Sequence, residues 1–294
     1  MDKIKPIIAN VSVTRHILKR FNLRASKRLG QNFLINKSVV DDIVYAAEIE
    51  DGEQILEIGP GIGTLTQGLL EAGANVTAVE LDKKLPAVLA ETLAGYDSLQ
   101  VIQGDILKVD IPEIMNHQPF KVVANLPYYI TSQIILTLLE KKLPITKLVT
   151  MVQREVAERM VATPESLSAA KESAKTYGAL SVAVQFYTEP QIAFDVPPSA
   201  FLPSPEVTSS VIVCDVRKNP AVEVEDEAFF FRVVRASFGQ RRKTLINSLA
   251  GGGFNRELIS KALQTSNIDS QCRAETLSLK DFAALSNNLK QLLH

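Results

Sequence analysis

The stretch QILEIGPGIGT, from Gln54 to Thr64, decides the fold class of this 294-residue chain. Its first five residues form an apolar, β-rich run, and three glycines follow at positions 59, 61 and 63, where a strand would turn into a helix. Glycines at such a turn let the backbone approach a ligand and direct a helix N-terminus at it. A tight connection without a ligand fits the same residues, so the turn needs support from the surrounding sequence.

Strand-like and helix-like segments alternate on both sides of this turn. Ser38 is placed to cap a helix, because apolar residues follow it at the i, i+3, i+4 spacing as far as Ala47. Short β-rich runs spaced by helices predict a parallel sheet covered by helices on both faces, which is an α/β, doubly wound, Rossmann-like domain. Strands are predicted over 54–58, 75–79, 99–102 and 121–124, and helices over 64–70 and 84–93.

The character of the chain changes near residue 218. Before it, β-rich runs cover 148–152, 182–187 and 210–216, and a stretch rich in Ser, Ala and Lys predicts an exposed loop over 163–177. After it, helices are predicted over 227–238, 244–250, 256–263 and 279–292. We therefore predict a basic N-terminal arm over 1–29, the α/β domain over 30–218 and a small all-α domain over 219–294.

Polar side chains follow the ends of successive predicted strands. Glu80 lies 21 residues beyond Gly59, where a carboxylate can accept hydrogen bonds from both hydroxyls of a ribose. Asp105 follows the next strand and is placed to reach an adenine edge. Because open α/β sheets bind ligands at the carboxyl ends of their strands, a nucleoside ligand is predicted. An acid at this spacing also serves a nicotinamide dinucleotide, so the identity of the nucleoside stays open at this point.

The fourth strand ends in Asn125-Leu126-Pro127-Tyr128, and this turn carries a resemblance. It is similar to the Asp/Asn/Ser-Pro-Pro-aromatic signature of amino methyltransferases that use S-adenosylmethionine. With Gln31 to Leu34 upstream and Phe201 to Ser209 downstream, the chain resembles the ribosomal RNA adenine dimethyltransferase family over residues 27–210. A small helical C-terminal domain is also what that family has. A plain strand-ending turn is the alternative for these four residues, since Asn and Pro are common turn formers.

The resemblance implies a cofactor, a reaction and a set of site residues. The cofactor is S-adenosyl-L-methionine and the reaction is N6,N6-dimethylation of adenosine. Asn32 and Leu34 are implied to line the methionine end of the cofactor, and Phe201 is implied to hold the target base against Tyr128, with Phe194 as a competitor for that position. The expected cofactor-binding residues are Asn32, Leu34, Gly59, Gly61, Gly63, Glu80, Asp105 and Asn125.

Chemistry explains why an asparagine-led turn suits this reaction. An adenine amine is a poor nucleophile, because its lone pair is delocalised into the ring. If the Asn125 side-chain oxygen and the Leu126 carbonyl accept its two N–H bonds, the nitrogen can pyramidalise and turn its lone pair to the methyl group. Pro127 fixes φ and adds no competing donor, and Tyr128 offers a face for the base to stack on. No dedicated general base is required, because the methylated aminium is strongly acidic.

The substrate is predicted from the resemblance and from the charges together. Residues 26–34 and 177–181 are most similar to the small-subunit enzymes of the family. This implies dimethylation of two adjacent adenosines in a hairpin loop near the 3′ end of small-subunit (16S) ribosomal RNA, during ribosome biogenesis, with the immature 30S subunit as partner and a monomeric protein. The large-subunit relatives that confer macrolide resistance are the nearest alternative. The motifs do not explain the 163–177 loop.

Basic residues concentrate in two regions of a chain whose net charge is −1. Residues 1–37 hold nine Lys or Arg against one Asp, and residues 232–256 hold six and no acid. This sorting predicts a polyanion-binding face, with Ser26-Lys27-Arg28 and Arg241-Arg242-Lys243 as phosphate contacts. Two separate solvated faces are the alternative interpretation.

Composition and remaining motifs limit the other function classes. The absence of an apolar run near 18 residues predicts a soluble, cytoplasmic protein without a membrane partner, although the basic beginning also suits an organelle transit peptide. Two distant cysteines and three scattered histidines predict neither a disulfide nor a metal site. A ribosome-assembly or transcription factor without turnover would have no need of a nucleophile-orienting turn. A nicotinamide oxidoreductase would need a hydride-transfer acid, and none is evident.

Overall fold

The computed structural model describes residues 6–165, 177–240 and 242–293, apart from the side chain of Lys27. The strands of this part are β1 (Phe33–Leu34), β2 (Gln54–Ile58), β3 (Asn75–Glu80), β4 (Leu99–Gln103), β5 (Phe120–Asn125), β6 (Ile145–Gln153), β7 (Thr188–Val196), β8 (Phe201–Leu202) and β9 (Ser209–Val216). Its helices are α1 (Val11–Arg20), α2 (Lys37–Ala47), α3 (Thr64–Glu71), α4 (Leu85–Thr92), α5 (Ile111–Ile114), α6 (Thr131–Glu140), α7 (Arg154–Val161), α8 (Ala179–Tyr187), α9 (Glu227–Phe238), α10 (Leu245–Gly251), α11 (Arg256–Thr265) and α12 (Leu279–Gln291).

A seven-stranded sheet in the order β4-β3-β2-β5-β6-β9-β7 forms the centre of the α/β fold. The five strands from β4 to β6 pair in parallel, as predicted. Beyond these strands the sheet is mixed, because β9 pairs antiparallel with β6. Strands β7 and β9 are neighbours in the sheet. Residues 197–208 join them without the α-helix that a parallel crossover normally contains, so β9 runs in the direction opposite to β7.

The central strands are buried on both faces, which explains their unbroken apolar runs. In β2, β3 and β5 nearly every residue is buried. Helix α2 contributes Val39, Val40 and Ile43 to the same core. Asn36 caps this helix through its Oδ1 atom, which accepts hydrogen bonds from the N–H groups of Ser38 and Val39, so the prediction of Ser38 as the cap is wrong by two residues.

The basic N-terminal arm contains a helix that the sequence pattern did not predict. Helix α1 is capped by Asn10 and buries Thr14 and Ile17. Ile8 precedes it, and its N–H donates to the Gln67 side chain at 2.9 Å. Few residues of this helix are buried, so its apolar residues are too few to reveal a helical period in the sequence. Its basic residues lie on the exposed faces.

The chain divides into two compact units. The first comprises Met1–Ala157 and Gln191–Val216, and the second comprises Glu158–Pro190 and Arg217–His294. The second unit resumes beside the predicted boundary at 218, but it also includes residues 158–190, which the sequence pattern assigned to the α/β domain. Most of the predicted 163–177 loop lies outside the described residues.

Helices form the second unit, as predicted for the C-terminal region. Residues 182–187, predicted as β-rich, lie in α8 instead. Their side chains are buried almost all round the helix, so the run shows no period by which a helix could be told from a strand. The Phe186 ring stacks on Phe230 of α9 at 5.0 Å between centroids, which supplies part of this unit's core.

No helix in the described ranges combines the length and the apolar composition of a membrane span.

Candidate active site

The glycine turn after β2 has the backbone conformation that its sequence predicts. Gly59, Gly61 and Gly63 have φ angles of 69°, 62° and 93°, which L side chains rarely adopt. Gly63 is the N-cap of α3, and a Cβ atom there would lie 2.9 Å from Leu93 Cδ1. A Cβ at Gly59 would meet nothing within 4 Å, because this residue borders open space. The turn is therefore tightly packed at Gly63, while at Gly59 a ligand can approach the backbone.

A cavity opens at the carboxyl ends of β2 to β5. It holds about 1050 Å³ of empty space, including the part that opens to solvent. Ten predicted site residues line it: Asn32, Leu34, Gly59, Gly61, Glu80, Asp105, Asn125, Leu126, Pro127 and Tyr128. Gly63 and Phe201 are not in its wall, so Gly63 acts on the site through the shape of the turn.

Glu80 connects the glycine turn to the end of β3. Its Oε2 accepts a hydrogen bond from the Gly61 N–H at 3.1 Å, and its Oε1 accepts one from the Asp82 N–H at 2.7 Å. Burial raises the pKa of this carboxyl, while the two N–H donors act in the opposite direction. Each oxygen retains acceptor capacity, so Glu80 can hold the loop and a ribose hydroxyl together.

Glu57 is a buried acid that the sequence analysis did not select as a site residue. It lies in β2, is 1% exposed, and lines the cavity, and its Oε2 has no hydrogen-bond partner among the described residues. Burial raises its pKa to about 8; the nearby Thr66 hydroxyl acts in the opposite direction, and the charge of Glu80 adds a smaller upward contribution. The signal was present in the sequence, because an acid inside a strand buried on both faces needs a reason to be there.

Asn125 has a fixed orientation at the end of β5. Its Nδ2 donates to the carbonyl oxygen of Asn32 at 3.4 Å, and Asn32 Nδ2 donates to the Gly30 carbonyl at 3.2 Å. Because the amide nitrogen of Asn125 is engaged on that side, its Oδ1 is the atom left to accept a hydrogen bond in the cavity. No described residue donates to this Oδ1.

The turn after Asn125 is held by its own backbone contacts. The Leu126 N–H donates to the Met151 carbonyl at 3.1 Å, and Thr131 Oγ1 donates to the Pro127 carbonyl at 3.0 Å. The hydroxyl of Tyr128 pairs with Ser209 Oγ at 2.6 Å, and burial raises its pKa. None of the described residues donates a hydrogen bond to the Leu126 carbonyl. This carbonyl is therefore free to act as the second acceptor for a substrate amine.

Asp105 reaches the cavity from the segment after β4. Its Oδ1 accepts from the Leu107 N–H at 3.1 Å, and Lys108 Nζ lies 3.8 Å from its Oδ2. One side of the carboxylate is thus held by its own loop, and the side chain still lines the cavity. Asp105 stays a predicted contact of an adenine edge.

Phe201 is placed differently from the other predicted site residues. It pairs with Leu34 in the small β1–β8 sheet and belongs to the buried core, at 2% exposure. Phe194 packs partly buried against the same core. The predicted contact of Phe201 with the target base therefore stays a prediction. The pairing of Phe201 with Leu34 holds Leu34 in the wall of the cavity.

Several further residues complete the wall of the cavity, and the sequence analysis did not select them. Gln31 accepts a hydrogen bond from the Ser26 N–H at 2.9 Å and donates to Asp82 Oδ2 at 3.2 Å, so it joins the N-terminal segment to the end of β3. Gly30 and Tyr129 border the same opening. Gln31 belongs to one of the motifs quoted above, and Tyr129 directly follows another. Only the fold shows that these two side chains line the same cavity.

The residues of the cavity fit a cationic nucleoside. Glu57 adds a buried acid to the wall, and a positively charged group bound nearby would favour its ionised form. The space beside Gly59 lets a ligand approach the backbone, and Glu80 and Asp105 supply acceptors for hydroxyl and amine groups. Within the described ranges, no group of three His, Cys, Asp or Glu residues is arranged to hold a metal ion.

The two basic regions are each partly exposed in their own unit. In the first, Arg15, Arg24 and Arg28 are exposed, while Arg20 pairs with Glu91. In the second, Arg242 and Lys243 are exposed, and Arg241 lies outside the described residues. The role of both regions in binding phosphates stays a prediction.

The model of the ribosomal RNA adenine dimethylase family matches residues 22–291. The chain belongs to this family. It is 47% identical to Ribosomal RNA small subunit methyltransferase A of Bacillus licheniformis, over 97% of this chain and 98% of that protein. It is 45% identical to the protein of the same name in Clostridioides difficile, over 95% and 96% of the two chains.

Solved structures of related proteins have the same fold. The dimethyladenosine transferase from Plasmodium falciparum superposes with a TM-score of 0.71 and 25% identity, over 86% of this chain and 95% of that chain. The 23S rRNA methyltransferase ErmE superposes with a TM-score of 0.65 and 26% identity, over 88% and 100%. Family membership confirms the predicted enzyme class, the methyl donor S-adenosyl-L-methionine and the α/β fold with a helical C-terminal region.

Proposed function

We propose that this adenine dimethylase methylates N6 of two adjacent adenosines in a hairpin loop near the 3′ end of small-subunit (16S) ribosomal RNA. One observation carries the proposal for the reaction. The oriented amide of Asn125 and the carbonyl of Leu126 lie in the wall of the same cavity as the glycine turn. A nucleobase amine and a methyl donor can therefore meet there without a further change of fold.

In the proposed mechanism the protein acts by holding and orienting the substrate. S-Adenosylmethionine supplies an electrophilic methyl group when it is bound. Asn125 Oδ1 and the Leu126 carbonyl accept the two N–H bonds of the amine, so that its lone pair points into the cavity. Tyr128, fixed by its hydroxyl on Ser209, supports the plane of the base. Among the described residues of the wall, the ionisable side chains other than tyrosines are the acids Glu57, Glu80 and Asp105, so orientation supplies most of the rate.

The choice of the small subunit rests on the relatives. Proteins named for methylation of the small subunit are 43–47% identical to this chain over nearly its full length. The 23S rRNA enzyme is 26% identical. We assign residues 1–29 and 219–294 to RNA contacts because the described part of each range carries exposed basic residues. The proposed partner is the immature 30S subunit, and the proposed state is a cytoplasmic monomer.

The proposed function predicts a specific product. The protein is incubated with labelled S-adenosylmethionine and either immature small subunits or large-subunit RNA, and the RNA is digested to nucleosides. We expect N6,N6-dimethyladenosine from the small-subunit substrate alone. Product from large-subunit RNA would favour the large-subunit alternative, and RNA binding without any product would favour a non-catalytic assembly factor.

Glu80 provides a test of the cofactor site. Replacing it with alanine removes the acceptor of two backbone N–H groups and the proposed acceptor of the ribose. Because a hydrogen bond to a charged group contributes roughly 1.5–3 kcal/mol, we expect the affinity for S-adenosylmethionine to fall about 10- to 100-fold, with a smaller loss for Glu80→Gln. Calorimetric titration measures this. The exposed Glu113 serves as control, and unchanged affinity in Glu80→Ala would contradict the assignment.

A further inference from the structure

Tyr129 is a large aromatic side chain exposed at the rim of the active-site cavity. It follows Tyr128 directly, yet the two differ in their surroundings. The Tyr128 hydroxyl is bonded to Ser209, whereas Tyr129 is 55% exposed and makes no hydrogen bond with the described residues. The methyl-transfer mechanism above assigns it no role.

Exposure by itself carries little information, because single exposed aromatic residues are common. Tyr45 illustrates this, since it is 85% exposed on α2 and does not line the cavity. What distinguishes Tyr129 is its position, because it lines the active-site cavity and is also exposed to solvent.

The Tyr129 ring lies on the side of Gly30 where a side chain would project. Gly30 has a φ of 60°, and a Cβ atom there would lie 3.5 Å from Tyr129 Cδ1 and 3.8 Å from Pro127 Cβ. The ring thus lies along the glycine and beside the turn that carries Asn125. A ring in this position offers an aromatic face on which a base can stack.

A second cavity, of about 580 Å³ of empty space, adjoins the first and is basic. The two cavities share Leu29, Gln31 and Phe33 in their walls. The second adds the cations Arg24, Arg28 and Lys84, all exposed and without an ion pair among the described residues. Its acid, Asp82, already accepts hydrogen bonds from Gln31 and from the Lys84 N–H. A phosphate is the group that this charge distribution favours.

We propose that Tyr129 stacks on the base next to the target adenosine, while Arg24, Arg28 and Lys84 hold the phosphate of that neighbouring nucleotide. Single-stranded RNA is recognised in this manner, with splayed bases on aromatic rings and a basic groove along the backbone. In the proposed substrate the neighbouring nucleotide is the second adenosine or the nucleotide that flanks the pair. This inference rests on the proposed function and adds a positioning residue to it.

The test compares Tyr129→Ala and Tyr129→Phe with Tyr45→Ala in methylation of immature small subunits. Stacking of one base corresponds to roughly a 5- to 150-fold change in affinity, so we expect Tyr129→Ala to raise KM for RNA about 10-fold. The kcat at saturating RNA and the affinity for S-adenosylmethionine should stay within about twofold of wild type. Tyr129→Phe and Tyr45→Ala should behave as wild type, because the former keeps the ring and the latter lies outside the cavity.

Salt dependence separates the phosphate contact from the stack. Arg24→Gln should reduce the steepness with which KM rises with salt, while Tyr129→Ala should leave that steepness unchanged. An unchanged KM in Tyr129→Ala, an equal loss in Tyr129→Phe, or a parallel loss of S-adenosylmethionine affinity would overturn the stacking role. In each of these cases, methylation of the RNA by the wild-type protein would still support the proposed function. A wild-type protein without methyl transfer would overturn the proposed function, and this inference with it.

Discussion

Asn125→Ala is expected to lower the rate of methyl transfer by roughly 10²- to 10³-fold, the usual cost of removing one oriented hydrogen-bonding group from a transition state. The substitution removes Oδ1, which accepts an N–H bond of the amine in the proposed mechanism. Leu126 and Tyr128 keep their contacts with Met151 and Ser209, so the base should still enter. Single-turnover methylation measures the rate, and calorimetric and filter-binding titrations measure the affinities for cofactor and RNA.

Two further variants make this result specific. Asn125→Asp keeps an acceptor but replaces the Nδ2 that donates to Asn32, and it places a carboxylate against a carbonyl oxygen. We expect it to be nearly as slow as Asn125→Ala. Asn75→Ala is the matched control, because Asn75 begins strand β3 and bonds to Gly52 at the other end of the sheet. Equal loss of transfer and of RNA binding in Asn125→Ala would show that the residue is structural.

Glu57→Gln is expected to remove most of the pH dependence of stability that Glu57 causes in the cofactor-free protein. The folded state raises the pKa of Glu57 from its ordinary value of 4.5 to about 8, chiefly through burial. The folded state therefore prefers the protonated acid. The stability that this preference contributes is complete below pH 4.5 and is lost as the pH rises through 8. Since one pKa unit corresponds to about 1.4 kcal/mol, the contribution of Glu57 to the free energy of unfolding should fall by roughly 3–5 kcal/mol over this interval.

The measurement is the free energy of unfolding by urea at several pH values. As the pH rises from about 5 to about 8.5, Glu57→Gln should become progressively more stable than the wild type. The reason is that glutamine is isosteric with the protonated acid and does not ionise. Glu50→Gln, at an exposed position, controls for the loss of an acidic residue and should follow the wild-type curve. Parallel curves for Glu57→Gln and wild type would show that Glu57 stays ionised in the folded state.

Local sequence was sufficient for elements whose pattern is short and unambiguous. Strand β2 was predicted over 54–58 and helix α9 over 227–238, and both have those bounds. A strand-to-helix turn is predicted at the three glycines after β2, and they have the backbone angles that only glycine adopts readily. Residues 179–187 show the limit, because a helix buried on almost every side has no polar face to reveal its period.

The sequence by itself determined which polar groups follow which strands, and hence that Glu80, Asp105 and Asn125 would gather at one edge of a parallel sheet. That inference needs only the direction of the strands. Only the tertiary structure decided what surrounds each group. It placed Phe201 in the core, buried the Glu57 carboxyl and exposed the Tyr129 ring at the cavity, since burial and exposure depend on residues far apart in the chain. Electrostatics and stacking follow from those surroundings, and for that reason they could not be obtained from spacing alone.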